Sequence, residues 1–105
     1  MVERDITEKI TQFRKAIEEQ GIRVTMILLY GSYAAGNFRK DSDIDVAVVS
    51  PDFGKDRFEE GVRIFQIACD IDPRIEPIPI SPESFENYTW LPLIYEIRKN
   101  GVEVN

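Results

Sequence analysis

The chain has 105 residues, of which 43% are hydrophobic and 30% are charged, which is enough for one modest core but not for two. Its net charge of −6 argues against stable binding of DNA or RNA, which depends on clustered Lys and Arg, and it disfavours a polymerase role. Because no long apolar run or signal-like N-terminus occurs, we expect a single cytoplasmic domain over residues 1–105 with no membrane contact.

The first half of the chain predicts a helix and two strands. Apolar residues recur at helical spacing over residues 5–20, which predicts an amphipathic helix that ends at Gly21 and covers one face of a sheet. The short apolar run 25–30 predicts a buried strand that stops at Gly31. The Val-rich and Ile-rich run 42–49 predicts a second buried strand.

The second half continues the alternation of helices and strands. Its predicted elements are a loop at 51–56, a helix at 58–71, a strand at 74–80, a helix that begins at Ser81-Pro82, a helix at about 91–99 and a strand at 102–104. The helix at 58–71 is indicated by four apolar residues at helical spacing: Phe58, Val62, Phe65 and Cys69. In the strand at 74–80, Pro77 and Pro79 favour an edge position or irregular pairing.

Cys69 is the one cysteine of the sequence, so no disulfide forms within the chain. It lies in an apolar pattern with Ile64, Phe65, Ile67 and Ala68. We therefore expect its thiol to be packed in the core rather than to act in catalysis or metal binding. Because the chain has no histidine, Ser-His and Cys-His nucleophilic arrangements are also excluded.

A glycine-serine turn and two carboxylates stand close together in the sequence. Gly31-Ser32 follows the first predicted strand, where backbone N–H groups and a hydroxyl could face a phosphate. Asp43 and Asp45 are two residues apart, so they share one face of the second strand and repel each other unless a cation lies between them. Mg²⁺ accepts one or two carboxylates together with substrate phosphates. The combination predicts a metal-nucleotide site.

Each motif taken alone has a simpler interpretation. A lone Gly-Ser is usually an ordinary turn, and a lone Asp-x-Asp is usually a strand end that faces water. The segment 41–45 also resembles the start of a calcium loop, but that loop would need Gly in place of Val46 and normally Glu in place of Asp52. The joint spacing, with ten residues between Ser32 and Asp43, favours the metal-nucleotide interpretation.

This spacing resembles the signature of the polymerase β-like nucleotidyltransferase superfamily, and the string 31–48 resembles its minimal nucleotidyltransferase branch. The resemblance extends over most of the chain. It implies an α+β fold with a small mixed β-sheet flanked by helices. It also implies that Gly31 and Ser32 bind the nucleotide phosphates and that Asp43 and Asp45 are catalytic metal ligands.

The family carries a third carboxylate on a later strand, and Glu76 is our choice for it, as a metal ligand that can help deprotonate the attacking hydroxyl. Asp70 and Asp72 remain alternatives. Arg39 matches a position that is frequently basic in the family, which implies a role in nucleotide binding, and the neighbouring Lys40 could also reach a triphosphate.

At two further positions the chain departs from the family. Many relatives carry arginine where Tyr33 and Ala35 stand here, so neutralisation of the phosphates is expected to be weaker.

The resemblance implies attack of an acceptor hydroxyl on the α-phosphorus of a nucleoside triphosphate, with ATP as the favoured donor and two Mg²⁺ ions as cofactors. Minimal members are often paired with a HEPN toxin, a small helical ribonuclease, and act as its antitoxin by transferring AMP to a tyrosine. Two alternatives stay open: an antitoxin that neutralises its partner by binding alone, and transfer to a small molecule such as an aminoglycoside.

Such a small catalytic core needs a partner or another subunit to complete its open side, so we expect a homo-oligomer or hetero-oligomer. The candidate contact residues are aromatic or apolar: Tyr88, Trp90, Leu91 and Tyr95. The alternative is that these residues form a locally buried aromatic cluster.

Overall fold

A computed structural model describes residues 3–39 and 41–104 of the chain. Its helices are α1 (Arg4–Glu19), α2 (Ser32–Ala35), α3 (Arg57–Ile71), α4 (Pro82–Asn87) and α5 (Pro92–Asn100), and its strands are β1 (Met26–Tyr30), β2 (Ile44–Val49), β3 (Ile75–Ile80) and β4 (Val102–Val104). Each predicted helix and strand is present, with bounds that differ by one or two residues. The one-turn helix α2 was not predicted.

The four strands form one mixed sheet in the order β3-β2-β1-β4. β1 runs antiparallel to both β2 and β4, whereas β2 and β3 are parallel and are joined by the crossover helix α3. β3 is an edge strand, as Pro77 and Pro79 predicted, because a proline at the edge removes no hydrogen bond within the sheet. The mixed sheet with flanking helices confirms the predicted α+β class.

Helices cover both faces of the sheet. On the first face, the apolar stripe of α1 packs with α3 against the larger core cluster, and the buried residues of that stripe are Ile6, Ile10, Phe13 and Ile17. On the second face, Ile94 and Ile97 of α5 pack against Leu28, Ala47 and Val49. The helices α4 and α5 therefore lie on the face that is opposite α1.

Helix α3 shows where the apolar pattern was misleading. The helix is present, but the expectation that Cys69 is packed is wrong, because Cys69 is exposed. The residues of α3 that are fully buried are Ile64 and Ala68, and the stripe that signalled the helix is largely exposed, at Phe58, Val62 and Phe65. The sequence of α3 carries two apolar stripes, and helical spacing alone does not tell which one faces the sheet.

No helix in the parts of the chain that the structure describes has both the length and the apolar character needed to cross a membrane.

Candidate active site

The site begins where β1 ends, at a glycine that no other residue replaces easily. Gly31 has φ +74° and ψ −151°, a backbone conformation that is essentially restricted to glycine. A Cβ built on Gly31 would overlap the Oδ2 atom of Asp45. The turn therefore passes directly against the carboxylate, and Ser32 follows it as the first residue of α2.

Three polar side chains form a row across the sheet at this point. Asp45 in β2 is the register partner of Tyr30 in β1 and of Glu76 in β3. Because side chains alternate along a strand, Asp45 shares the second face of the sheet with Ala47. Asp43 precedes β2 by one residue and is exposed. The structure thus aligns Glu76 with Asp45 beside the turn at Gly31.

The electrostatics show that these groups influence one another. Burial raises the pKa of Asp45, and the negative charges of Asp43 and Glu76 raise it further. Burial, with added contributions from Asp45 and Glu76, raises the pKa of Tyr30 to about 12. The row therefore concentrates negative charge in a partly desolvated place, which favours the binding of a cation.

The carboxylates near Gly31 form an open arrangement and not a closed metal site. Within residues 3–39 and 41–104, no three acidic, histidine or cysteine side chains are placed so that together they could hold a metal ion. An open arrangement suits Mg²⁺, which retains water and takes one or two carboxylates together with substrate phosphates. The mutual repulsion seen at Asp45 is what a bound cation would relieve.

The alternatives for the third carboxylate lie elsewhere. Asp72 is buried and pairs with Arg74, whose Nη2 and Nε atoms donate to its two oxygens at 2.8 and 3.1 Å. Asp70 is an exposed residue of α3, on the other face of the sheet from Asp45. Only Glu76 of the three candidates is in register with Asp45.

The basic positions contribute less to the described geometry. Arg39 is exposed, its backbone N–H donates to Ser42 Oγ at 2.7 Å, and its carbonyl accepts from Ser42 N at 3.0 Å. These bonds organise the loop that leads to β2, and a contact of Arg39 with nucleotide stays a prediction. Lys40 lies outside the described residues.

The sequence did not predict a set of side-chain contacts that supports α2, directly after the turn at Gly31. The hydroxyl of Tyr33 in α2 accepts a hydrogen bond from Arg74 Nη1 at 3.1 Å, and the Tyr33 ring stacks on Phe38 with 4.4 Å between centroids. Arg74 is in turn held by Asp72. The sequence signal for this support was the tyrosine at a position where relatives carry arginine, because such a replacement indicates a changed role.

Comparison with known proteins identifies the family of the chain. Residues 10–101 match the model of the nucleotidyltransferase domain family. A relative from Methanocaldococcus jannaschii, named "Putative protein adenylyltransferase MJ0141", is 30% identical over 101 residues, which cover 95% of this chain and 99% of that protein.

Two solved structures share the fold. One is a toxin-antitoxin complex with AMP-PNP (TM-score 0.63, 22% identity), and the other is a mutant of the toxin-antitoxin MntA-HpeT (TM-score 0.61, 21% identity). Each similarity covers 94% of this chain and 72% of the other. Together with the family match, these findings confirm the resemblance: the chain belongs to the nucleotidyltransferase domain family and is a nucleotidyltransferase.

Proposed function

We propose that this protein transfers AMP from ATP to a hydroxyl group of a partner protein, most specifically to a tyrosine of a HEPN toxin, and thereby acts as an antitoxin. The observation that carries the proposal is the alignment of Asp45 with Glu76 beside the glycine turn at Gly31. The relative named as a protein adenylyltransferase supports a protein acceptor. The fold neighbours from toxin-antitoxin complexes, one of them with AMP-PNP, support the donor and the class of partner.

The site residues have distinct roles in this reaction. The oxygen of the acceptor hydroxyl forms a bond to the α-phosphorus of ATP, the bond from the α-phosphorus to the bridging oxygen breaks, and pyrophosphate leaves. Glu76 accepts the hydroxyl proton, and Gly31 lets the backbone approach the phosphates because it has no side chain. Asp43, Asp45 and Glu76 would hold Mg²⁺, which when bound lowers the charge on the phosphates and activates the nucleophile.

The test is a transfer assay with ATP labelled at the α-phosphate, Mg²⁺ and the co-purified partner. We expect label on the partner with the wild-type protein and a loss of at least about 100-fold with Asp45→Asn, since the chemistry depends on this carboxylate. Asp70→Asn changes the net charge equally at an exposed site on the other face and should retain transfer. The same comparison with Glu76→Gln assigns the third carboxylate.

Other outcomes would identify the alternatives. A stable, inhibited complex that never carries label would support neutralisation by binding alone. Label on an aminoglycoside, with none on the protein partner, would support a small-molecule acceptor. Retained transfer in Asp45→Asn would contradict the assigned site itself.

A further inference from the structure

An exposed aromatic surface covers the turn between α4 and α5 and continues along α5. Trp90 is 74% exposed, Tyr95 is 54% exposed and Tyr88 is 41% exposed, so the alternative of a locally buried cluster is wrong for these three residues. Leu91 instead packs against the core of the second face. We call this surface the aromatic patch, and its members are Tyr88, Thr89, Trp90, Tyr95, Arg98 and Lys99.

At the aromatic patch, cationic side chains lie over aromatic rings. Lys99 Nζ lies 5.7 Å from the centre of the Tyr95 ring, and Arg98 Cζ lies 5.1 Å from the centre of the Phe85 ring. Arg98 Nη1 also donates to the carbonyl of Phe85 at 3.0 Å, which fixes the guanidinium at the surface. The acidic neighbour Glu96 accepts a hydrogen bond from Asn100 at 2.9 Å. The residues that line the patch therefore carry two positive charges and no carboxylate, whereas the net charge of the chain is −6.

One end of the patch lies at the same end of the sheet as the active site. Ile97 holds α5 on the second face, which also carries Asp45. After α5 the chain turns at Gly101 into β4, where Val102 pairs with Leu29. Leu29 directly precedes Tyr30, the register partner of Asp45. The end of α5 that carries Arg98 and Lys99 therefore lies at the same end of the sheet as the carboxylates.

We infer that the aromatic patch docks the protein acceptor through an acidic segment of that acceptor. This inference rests on the proposed function and specifies the chemistry of its partner. Protein interfaces are enriched in Trp, Tyr and Arg, which supply most of the binding energy. An acidic acceptor is repelled by the remainder of an acidic protein, so Arg98 and Lys99 attract it and determine where on the surface it binds. The acceptor hydroxyl then reaches the carboxylates past the end of α5.

The one tryptophan of the chain provides a direct measurement of docking, because it belongs to the patch. The probes are two synthetic peptides with one serine as the hydroxyl residue, flanked in one peptide by glutamates and in the other by lysines. We expect only the acidic peptide to change the Trp90 emission. In Arg98→Glu/Lys99→Glu the preference should reverse, with affinity for the acidic peptide reduced at least about tenfold. The matched control, Lys15→Glu/Arg4→Glu, reverses two exposed charges on α1 and should behave as wild type.

The outcomes separate docking from catalysis. If the acidic peptide changes the Trp90 emission but no AMP transfer to any protein occurs, docking stands and the proposed function fails. If neither peptide changes the emission, or if the charge-reversed patch keeps its preference, the inference is overturned. A single-stranded oligonucleotide that binds the patch more tightly than the acidic peptide would also overturn it, because the patch would then recognise nucleic acid.

Discussion

Asp45 and Glu76 are register partners in neighbouring parallel strands, so two carboxylates stand side by side on one face of the sheet. Adjacent strands are only about 4.8 Å apart, and the charge of Glu76 contributes to the raised pKa of Asp45, so the two carboxylates repel each other when no cation is bound. A site whose like charges destabilise the folded protein, and which a bound cation would stabilise, is typical of a functional site. The pair thus gives a prediction about stability that does not depend on activity.

Asp45→Asn should make the folded protein without Mg²⁺ at least as stable as wild type at pH 7. The pKa of Asp45 is raised in the folded state, so its ionisation opposes folding as the pH rises above the ordinary value of 3.8. The stability advantage of the variant should therefore increase as the pH is raised from about 4 to 7. Urea unfolding of both proteins in EDTA between about pH 4 and 7 measures this difference in stability. An identical gain in Asp70→Asn, which removes the same charge from α3, would contradict the explanation.

Gly31→Ala should be far more harmful than Gly36→Ala. Both glycines have positive φ, +74° and +82°, so each substitution strains the backbone. At Gly31 the new methyl group would also overlap the Asp45 carboxylate, whereas at Gly36 nothing lies within 4 Å. We expect a loss of about 1 kcal/mol of unfolding free energy at Gly36 and about 3 kcal/mol at Gly31, with loss of transfer in the latter. Equal losses in chemical denaturation would show that Asp45 does not crowd the turn.

The support beneath the turn should respond to acid. The hydrogen bond from Arg74 is the main cause that lowers the pKa of Asp72, and the lowered pKa stabilises the fold above the ordinary value of 3.8. That stabilisation is lost as the pH falls through the folded pKa, so unfolding should become easier below about pH 4. In Arg74→Met the loss of stability at low pH should be smaller, because ionised Asp72 no longer accepts the hydrogen bonds from Arg74 that stabilise the fold. Thermal melts from pH 2 to 5 compare the two proteins, with Arg4→Met as a control that breaks the exposed ion pair with Glu8.

The hydroxyl of Tyr33 should contribute to the position of the turn. Tyr33→Phe removes the bond from Arg74 but keeps the ring that stacks on Phe38. We expect a loss of about 1 kcal/mol of unfolding free energy and a rise in the KM for ATP, because α2 carries Ser32. Tyr95→Phe is the matched control, since it removes a hydroxyl from an exposed ring on α5. A KM that is unchanged in both variants would limit Tyr33 to a structural role.

The sequence predicted the elements well because each has a local signal, such as the serine and proline that begin α4 or the glycine that ends α1. It also pointed to Gly31, Ser32, Asp43 and Asp45 as a motif, because these residues are close in sequence, and their roles stay predictions. Contacts between distant segments were not accessible to the same reasoning. The bond from Arg74 to Tyr33 joins residues that are 41 positions apart, and the tyrosine at a position where relatives carry arginine does not identify its partner. The exposure of Cys69 likewise depends on how α3 rotates on the sheet.

The two apolar stripes of α3 lead to the last prediction. Ile64 is fully buried against the sheet, whereas the adjacent Phe65 is 42% exposed. Ile64→Ala should therefore lower the unfolding free energy by about 2–4 kcal/mol, because it leaves a cavity in the core, and Phe65→Ala should cost less than about 1 kcal/mol. Chemical denaturation of both variants measures the difference. A larger loss for Phe65→Ala than for Ile64→Ala would show that the stripe with Cys69 packs in the core, as its spacing in the sequence first indicated.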